Sequence, residues 1–142
     1  MVVKMIEPLH IANVGGHPLR FFKTPLDDGR PDLPWHCVDD LHRCLGLNRD
    51  ARRTFLRKLQ NANWKKDVRT VATADGLVTI APHYMAQGWI DASVEEGITA
   101  TSVRHDYDHA GVEATKKIPK PPFPSDEFLD WMKAAMNRWE RA

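Results

Sequence analysis

The apolar residues between positions 38 and 45 recur at a spacing that predicts a short helix. They stand at intervals of three, three and one, on one side of a helix: Val38, Leu41, Cys44 and Leu45. We expect this helix to run from about Asp40 to Leu45, with Asp39 as its N-cap, because an aspartate side chain accepts hydrogen bonds from the free N–H groups of a first turn. Gly46 follows, and glycine suits the left-handed residue that commonly ends a helix.

A second helix is predicted directly after this turn. Asn48 is a typical N-cap residue, and a helical pattern resumes at Arg49. The positions expected on the buried face of this helix are Ala51, Phe55, Leu56 and Leu59. We expect the helix to end between Gln60 and Asn63, so that the segment contains two short helices joined by the turn LGLN.

Strand patterns lie on both sides of this helix pair. Residues 17–23 (HPLRFFK) and the stretch WHCV that starts at Trp35 have strand-like content. Residues 67–73 and 77–81 flank Asp75 and Gly76, which form a strong signal for a two-residue hairpin turn. These segments predict small antiparallel strand pairs.

A third helix is predicted from Pro82 to about residue 92, because proline suits the first turn of a helix. The residues expected to form its buried stripe are Tyr84, Met85, Trp89 and Ile90. The residues before Gly16 show no comparable pattern, so we expect them to be weakly structured. Residues 93–117 mix strand-like and loop-like content, and we expect them to be mostly irregular.

The chain is expected to divide into three parts. Residues 1–117 form an α+β domain, and residues 118–124 (IPKPPFP) form an extended linker because four of the seven are prolines. Residues 125–142 form a C-terminal helix, capped by Ser125 and docked on the same domain. Its apolar residues near helical spacing are Phe128, Leu129, Met132, Met136 and Trp139. The predicted fold class is therefore α+β, with small antiparallel strand pairs packed with a helix-turn-helix-like helix pair and a C-terminal helix.

The composition is that of an ordinary globular protein. Of the 142 residues, 42% are hydrophobic and 27% are charged. There is no apolar run of the ~18 residues that a membrane span needs, and the N-terminus lacks the layout of a signal peptide. We therefore expect a cytoplasmic protein with no membrane partner, in which Cys37 and Cys44 are free thiols.

The charge is distributed unevenly along the chain, although its net value is only +1. The window from Arg43 to Arg69 holds nine basic and two acidic residues, a net charge of +7, whereas the remainder holds 11 basic and 17 acidic residues, a net charge of −6. Such segregation indicates a polyanionic partner, although a well-solvated helix face is the alternative. With Asn48 added, the candidate binding residues are Arg43, Asn48, Arg49, Arg52, Arg53, Arg57, Lys58, Lys65, Lys66 and Arg69.

The combination of this charge with the two predicted helices favours nucleic acid as the partner. A helix, a tight turn and a second helix with outward arginines form the arrangement of a helix-turn-helix, whose second helix can enter the major groove of DNA. Arginine is suited to bidentate recognition of guanine, while Lys58, Lys65 and Lys66 are expected to contact phosphates. A protein-binding module whose basic face docks an acidic partner is the second hypothesis.

A metal site is the third hypothesis, and two clusters bear on it. His36, Cys37, His42 and Cys44 lie within nine positions, but their spacing does not match a structural zinc site, and we expect His42 and Cys44 to lie on different sides of the helix. In the second cluster, His105 and His109 are four residues apart, with Asp106 and Asp108 between them. This spacing suits a small metal-dependent hydrolase only if the segment is helical, and it lacks the glutamate of the usual motif. The sequence therefore predicts no catalytic residue, no metal and no cofactor.

The order of these features resembles the N-terminal domain of the BRO family, found in viral BRO proteins and phage antirepressors. The stretch from PLRFF through VDDLHRCLGL to the basic helix is similar to the family's first strands and helices. The segments LVTIAPHYMAQGW and PSDEFLDWMKAAMN are similar to its later strand and helices. The chain departs from the pattern at Val38, where the family usually has a lysine before the aspartate, and in residues 93–124, which have no clear counterpart.

The resemblance implies a regulator of phage or prophage origin that binds DNA or antagonises a repressor. It covers residues 17–140 and implies a small α+β domain without catalytic residues. It leaves open whether the partner is DNA or a repressor protein. A homodimer is compatible with a helix-turn-helix, because paired half-sites increase specificity. The final helix, with Trp131, Met132, Met136 and Trp139, is the candidate interface if it does not dock on its own domain.

Overall fold

The fold is α+β, with one antiparallel sheet and five helices in the part of the chain that the structure describes. This computed structural model describes residues 4–59, 66–118 and 125–139, and of residues 58–59 and 125–126 it describes only the backbone. The strands are β1 His10–Val14, β2 His17–Phe22, β3 Trp35–Cys37, β4 Arg69–Thr73 and β5 Gly76–Ala81. The helices are α1 Val38–Cys44, α2 Arg49–Leu59, α3 His83–Glu95, α4 Thr101–Thr115 and α5 Ser125–Asn137.

The predicted strand pairs belong to a single sheet with the order β1-β2-β3-β5-β4. The strands predicted at residues 17–23, 67–73 and 77–81 and from Trp35 are confirmed. The predicted hairpin turn is shifted by one residue, since Ala74 and Asp75 form the turn and Gly76 is the first residue of β5, paired with Thr73. Because β3 pairs with both β2 and β5, it lies at the centre of the sheet. This strand leads directly into α1, so the sheet holds the first helix of the predicted pair.

The expectation that the chain is weakly structured before Gly16 was wrong. Residues His10–Val14 form β1, which pairs along its whole length with β2. The turn between them is Gly15-Gly16, both with positive φ, and a Gly-Gly pair is a hairpin signal as clear as Asp-Gly. Gly15 is also required sterically, because a Cβ there would lie 2.8 Å from the carbonyl oxygen of Cys44.

Apolar side chains pack on both faces of the sheet, since successive residues of a strand point to opposite sides. Phe21 and Ala81 face the larger cluster, which contains the buried apolar residues of α1, α3 and α4. Phe22 and Ile80, their neighbours in the chain, face a smaller cluster. That second cluster is covered by Ile6, Leu26, Trp139 and other partly buried side chains. Helix α1 therefore lies over one face, while the C-terminal end of the described chain reaches the other.

The apolar pattern of α1 is confirmed, and its limits are shifted. Val38, Leu41, Cys44 and Leu45 are all buried, and Gly46 has a φ of +71°, the left-handed conformation expected after a helix. The helix begins at Val38 rather than near Asp40, so Cys37 and not Asp39 occupies the N-cap position. The strand β3 runs into the helix without a loop, which leaves no place for a separate capping residue.

Helix α4 corrects the expectation that residues 93–117 are mostly irregular. It spans Thr101–Thr115, and its buried apolar residues recur at helical spacing: Val103, Tyr107, Ala110 and Ala114. Two of these four are alanines, whose small side chains allow the helix to pack closely against β1. Because alanine is only weakly apolar, these positions are hard to recognise as a buried helix face in the sequence. The neighbouring helix α3 was predicted correctly except for its end, since it continues to Glu95, with Pro82 at its N-cap position.

The C-terminal helix α5 contacts the rest of the structure at its end. Trp139 packs edge-on against Trp35, with ring centroids 6.2 Å apart, and its Nε1 donates to Asp32 at 3.2 Å. Asp32 is buried and also accepts from Nε1 of Trp35 at 2.7 Å. The guanidinium of Arg138 binds the carboxylate of Asp28 and the carbonyl oxygen of Arg30. We call these residues the C-terminal cluster: Asp28, Arg30, Asp32, Trp35, Arg138 and Trp139.

The rest of the α5 pattern was predicted only in part. Leu129 and Met136 were expected on its buried face, but they are 60% and 57% exposed. The buried position between them is Ala135, which is 1% exposed. The proline-rich linker, apart from Ile118, and residues 140–142 lie outside the described residues.

Candidate nucleic-acid interface

Five arginines line one open groove of about 880 Å³ between α1 and α2. On α2, the lining positions recur at intervals of three, one, three and one, which is one stripe of a helix. Helix α1 contributes Asp39 and Arg43, and the turn contributes Leu47. We call this site the arginine groove; its residues are Asp39, Arg43, Leu47, Arg49, Arg52, Arg53, Leu56 and Arg57.

Helix α2 is positioned by contacts at its start and along its inner side. The Asn48 side chain accepts a hydrogen bond from the backbone N–H of Ala51 at 2.8 Å, which confirms the predicted N-cap. Phe55 is buried, with its ring centroid 5.9 Å from His42 and 6.2 Å from Trp89. The turn before the helix is tied down by Thr99, whose hydroxyl donates to the carbonyl oxygen of Leu45 at 2.7 Å. The arginine stripe therefore has a fixed backbone.

Leu56 corrects the predicted buried face of α2. It was expected to pack with Ala51 and Phe55, but it is 39% exposed and lies among the arginines in the groove. The reason is its angular position, since Leu56 follows Arg49, Arg52 and Arg53 at helical spacing more closely than it follows Ala51. The side chain of Leu59 lies outside the described residues.

The guanidinium groups of the arginine groove are largely unpaired. Those of Arg49, Arg53 and Arg57 form no hydrogen bond or ion pair with any residue that the structure describes. Arg43 lies 3.6 Å from a carboxylate oxygen of Asp40, and Arg52 donates to the backbone carbonyl oxygen of Asp39 at 3.5 Å. Both contacts are long, so the groove holds a high density of positive charge with little internal neutralisation.

Most arginines elsewhere in the described chain have close partners, the exception being the exposed Arg30, whose guanidinium has none among the described residues. Arg20 donates to the buried carboxylate of Asp40 at 2.8 Å, which raises the pKa of Arg20, mainly through this hydrogen bond. Arg104 lies 2.9 Å from Asp91, and Arg138 binds Asp28. Free guanidinium groups in the described chain are therefore concentrated in the groove, where three lie together, whereas Arg30 stands alone.

The structure brings together six of the ten predicted binding residues. Arg43, Arg49, Arg52, Arg53 and Arg57 line the groove, and Asn48 caps the helix that carries four of them. Lys66 and Arg69 are exposed but are not among the described residues that line the groove. Lys65 and the side chain of Lys58 lie outside the described residues.

The segment that holds Lys66 and Arg69 is attached to a different part of the molecule. Arg69 donates to the carbonyl oxygens of Lys66 and Val68 at 2.6 and 2.9 Å, so its guanidinium is bound within its own turn. Asp67 accepts a hydrogen bond from the hydroxyl of Tyr84 on α3. The Tyr84 ring in turn packs against Trp139 of the C-terminal cluster, 5.2 Å away. The predicted basic window is therefore two surfaces, of which only the first is the arginine groove.

Sequence reasoning did not identify Asp39, Leu47 and Leu56 as members of the site. The sequence predicts Asp39 as a helix cap and Leu56 as a buried residue of α2, and it predicts no role for Leu47. The regular spacing of Arg49, Arg52, Arg53 and Arg57 passes through position 56, and that signal could have placed Leu56 with the arginines.

Two buried histidines lie beneath the groove. His36 and His42 both pack edge-on against Trp89, with ring centroids 5.8 and 5.1 Å away. None of their ring nitrogens has a hydrogen-bond partner among the described residues. Burial lowers the pKa of His36 to about 3 and that of His42 to about 4. Both imidazoles are therefore neutral near pH 7, when they behave as apolar core residues.

The first cluster considered for a metal is part of this core. Cys37 and Cys44 are free and buried, and burial raises the pKa of both thiols, that of Cys44 to about 12. His42 and Cys44 were expected on different sides of α1, yet both are buried, because Phe55 and Trp89 cover the side that carries His42.

The second cluster considered for a metal lies on α4. His105 and His109 are exposed there, and Asp106 accepts a hydrogen bond from the backbone N–H of Gly15 at 3.1 Å. Residues 4–59, 66–118 and 125–139 contain no group of three or more histidine, cysteine or acidic side chains arranged to hold a metal ion.

Comparison with known proteins yields no match to a family model, to a curated protein or to a solved structure. The resemblance to the N-terminal domain of the BRO family therefore stays a prediction. None of the helices in the described ranges is long and apolar enough to span a membrane.

Proposed function

We propose that this protein binds double-stranded DNA through the arginine groove. The observation that carries the proposal is the set of five arginines on one surface of two successive helices, three of them unpaired among the described residues. Unpaired guanidinium groups held on a fixed backbone are suited to phosphates and to the O6 and N7 atoms of guanine. Binding would replace their water and counterions with phosphate oxygens, so that counterion release drives association.

The position of the arginines on α1 and α2 favours duplex DNA over a single strand. In a helix-turn-helix, the second helix enters the major groove and the first lies across the backbone, which is the arrangement that Arg43 on α1 and the stripe on α2 would provide. Proteins that bind single strands stack the bases on aromatic side chains. The described residues that line the arginine groove include no aromatic side chain.

The biological role we propose is a cytoplasmic transcriptional regulator of phage or prophage type, similar to an antirepressor. This part of the proposal depends on the resemblance of residues 17–140 to the BRO family. The groove supports it only in so far as such a regulator must reach DNA or a DNA-bound protein.

A second candidate function is the docking of an acidic protein partner such as a repressor. Leu47 and Leu56 lie among the arginines, and an amphipathic acidic helix could place an apolar side chain against the exposed Leu56. Duplex DNA is favoured because the arginines outnumber the apolar side chains in the lining.

The test is the double substitution Arg52→Ala with Arg53→Ala. We expect it to weaken binding to a duplex of about 20 base pairs at ~0.1 M salt by roughly 100-fold, because two of the five groove arginines are lost. Fluorescence anisotropy measures the affinity, and circular dichroism checks that the melting temperature is unchanged. The matched control is Lys23→Ala with Lys117→Ala, which removes the same charge from exposed positions outside the groove. The control should change the affinity less than about threefold.

The salt dependence and a competitor separate the two candidate functions. If five arginines contact phosphates, the logarithm of the binding constant should fall against the logarithm of salt with a slope near −4.5. Polyglutamate should compete poorly with the duplex. Equal loss of affinity in the groove variant and in the control would contradict the proposal, and strong competition by polyglutamate would favour the acidic protein partner.

A further inference from the structure

Asp39 is the one acidic residue among the described residues that line the arginine groove. Its side chain is exposed and forms no ion pair or hydrogen bond with another described residue. The guanidinium of Arg52 lies close to it, yet that group donates to the backbone carbonyl oxygen of Asp39 and not to the carboxylate. The groove therefore presents a free carboxylate beside free cations.

The next residue in the chain shows that the two acids have different roles. Asp40 is buried and accepts hydrogen bonds from Nε and Nη2 of Arg20, at 2.8 and 3.2 Å, and from the backbone N–H of Arg20. It thereby fastens α1 to β2. The described structure gives Asp39 no such bonding role, although its neighbours in the groove would allow an ion pair.

A free carboxylate in a site for DNA affects two kinds of contact in opposite ways. It repels phosphates, and so weakens any binding that depends on the backbone alone. It also accepts hydrogen bonds from the amino groups of bases, above all from N4 of cytosine in the major groove. Arginines beside it read guanine, the partner of cytosine in the base pair.

We propose that Asp39 determines the sequence selectivity of the arginine groove, by accepting a hydrogen bond from the N4 amino group of cytosine and by opposing contacts to phosphates alone. This inference rests on the proposed DNA-binding function. It assigns the groove a preference for G·C base pairs, read jointly by Asp39 and by the arginines of α2.

The test compares Asp39→Asn with Asp50→Asn on two duplexes of about 20 base pairs, one of alternating G and C and one of alternating A and T. Asp50 is the matched control because it is an exposed aspartate on α2 that does not line the groove. The wild type should prefer the G·C duplex by roughly tenfold. In Asp39→Asn the ratio should fall to roughly two or three, mainly because binding to the A·T duplex becomes tighter, whereas Asp50→Asn should keep the wild-type ratio.

Each other outcome has a definite meaning. If Asp39→Asn and Asp50→Asn shift both duplexes by the same factor, or if the wild type binds both duplexes equally, the role of Asp39 is refuted and DNA binding stands. If the wild type binds neither duplex, the proposed function fails, and this inference fails with it. Melting curves verify that both variants fold, as expected for exposed side chains.

Discussion

The arginine groove and the C-terminal cluster use arginine in opposite ways. In the C-terminal cluster, the Arg138 side chain is 6% exposed and binds a carboxylate and two backbone carbonyl oxygens. In the arginine groove, Arg49, Arg53 and Arg57 are exposed and have no hydrogen-bonding partner in the described chain. Arginine thus holds the end of α5 in the C-terminal cluster, whereas in the arginine groove its guanidinium groups are free to bind a partner.

The buried polar groups beneath the two regions also differ in whether they are hydrogen-bonded. Asp32, at the base of the C-terminal cluster, accepts hydrogen bonds from two indole N–H groups. His36 and His42, beneath the arginine groove, have no partner for any ring nitrogen in the described structure. The hydrogen-bonding groups of the C-terminal cluster are therefore paired with one another, whereas in the described part of the chain the helix pair leaves guanidinium groups unpaired at its surface and imidazole nitrogens unpaired in the core beneath it. The unpaired guanidinium groups at the surface of the helix pair are suited to binding an anionic partner.

The largest change in stability that we expect is acid destabilisation through the two histidines beneath the arginine groove. Their pKa values in the folded protein are about 3 and about 4, below the ordinary 6.5 of an unfolded chain. The unfolded chain therefore binds more protons below pH 6.5, so stability is fully present above that pH and is lost as the pH falls toward the folded values. We expect each histidine to cost about 2 kcal/mol at pH 5 relative to pH 7. Urea unfolding at pH 7, 6 and 5 measures this loss.

His42→Leu tests the origin of the acid effect. Its stability at pH 7 will itself change, so the quantity compared is the slope of the unfolding free energy against pH. That slope should be smaller than that of the wild type between pH 6 and 5, because His42 no longer titrates, and it should not vanish, because burial also lowers the pKa of His36 and of His83. The exposed His105→Gln on α4 is the control and should keep the wild-type slope. An unchanged slope in His42→Leu would mean that other groups produce the acid sensitivity.

The next effect concerns the C-terminal cluster. Asp32→Ala should destabilise the protein by about 3 kcal/mol, because it removes hydrogen bonds from Trp35 and Trp139 and leaves the buried indole N–H of Trp35 without its acceptor. Asp32→Asn, which keeps one acceptor oxygen, should recover part of that loss. Thermal melting followed by circular dichroism measures both variants. At a temperature where Asp32→Ala is folded, its DNA affinity should equal that of the wild type, and a loss of affinity would show that the two regions are coupled.

The helix pair and most strands could be predicted from the sequence, because their signals are local. Val38, Leu41 and Cys44 recur at helical spacing. The Asp75-Gly76 signal located the hairpin between β4 and β5 to within one residue, since the turn is Ala74-Asp75. Helix α4 could not be found in this way, since its buried face includes Ala110 and Ala114, whose burial depends on how closely β1 approaches. Strand β1 had a local signal in its Gly15-Gly16 turn, but its own residues show no strand pattern and are defined by their pairing with β2.

The sequence predicted that the candidate site is basic, but it did not predict which residues of the basic window belong to the site. Arg43, Arg49, Arg52, Arg53 and Arg57 meet in one groove, as two successive helices require. The window of high charge continues to Arg69, but nothing local shows that this part turns away to Tyr84 on α3. The inclusion of Asp39 depends on the start of α1 at Val38, which results from the direct junction with β3. The residues that line the groove therefore depend on how the chain folds, and the distribution of charge along the sequence does not identify them.

Single alanine substitutions of one arginine in each region should have smaller effects, and they separate the two roles of arginine most directly. Arg138→Ala should lower the melting temperature by roughly 3 °C, because hydrogen bonds to the carbonyl oxygens of Arg30 and Pro31 are lost, and should leave DNA affinity within about twofold. Arg57→Ala should leave the melting temperature within about 1 °C, since its guanidinium has no partner in the described chain, and should weaken DNA binding by roughly tenfold. Melting curves and anisotropy on the same preparations measure both quantities. If both variants lost stability and affinity together, the separation of a fastening arginine from a binding arginine would be wrong, and the groove would be a structural feature whose arginines support the fold.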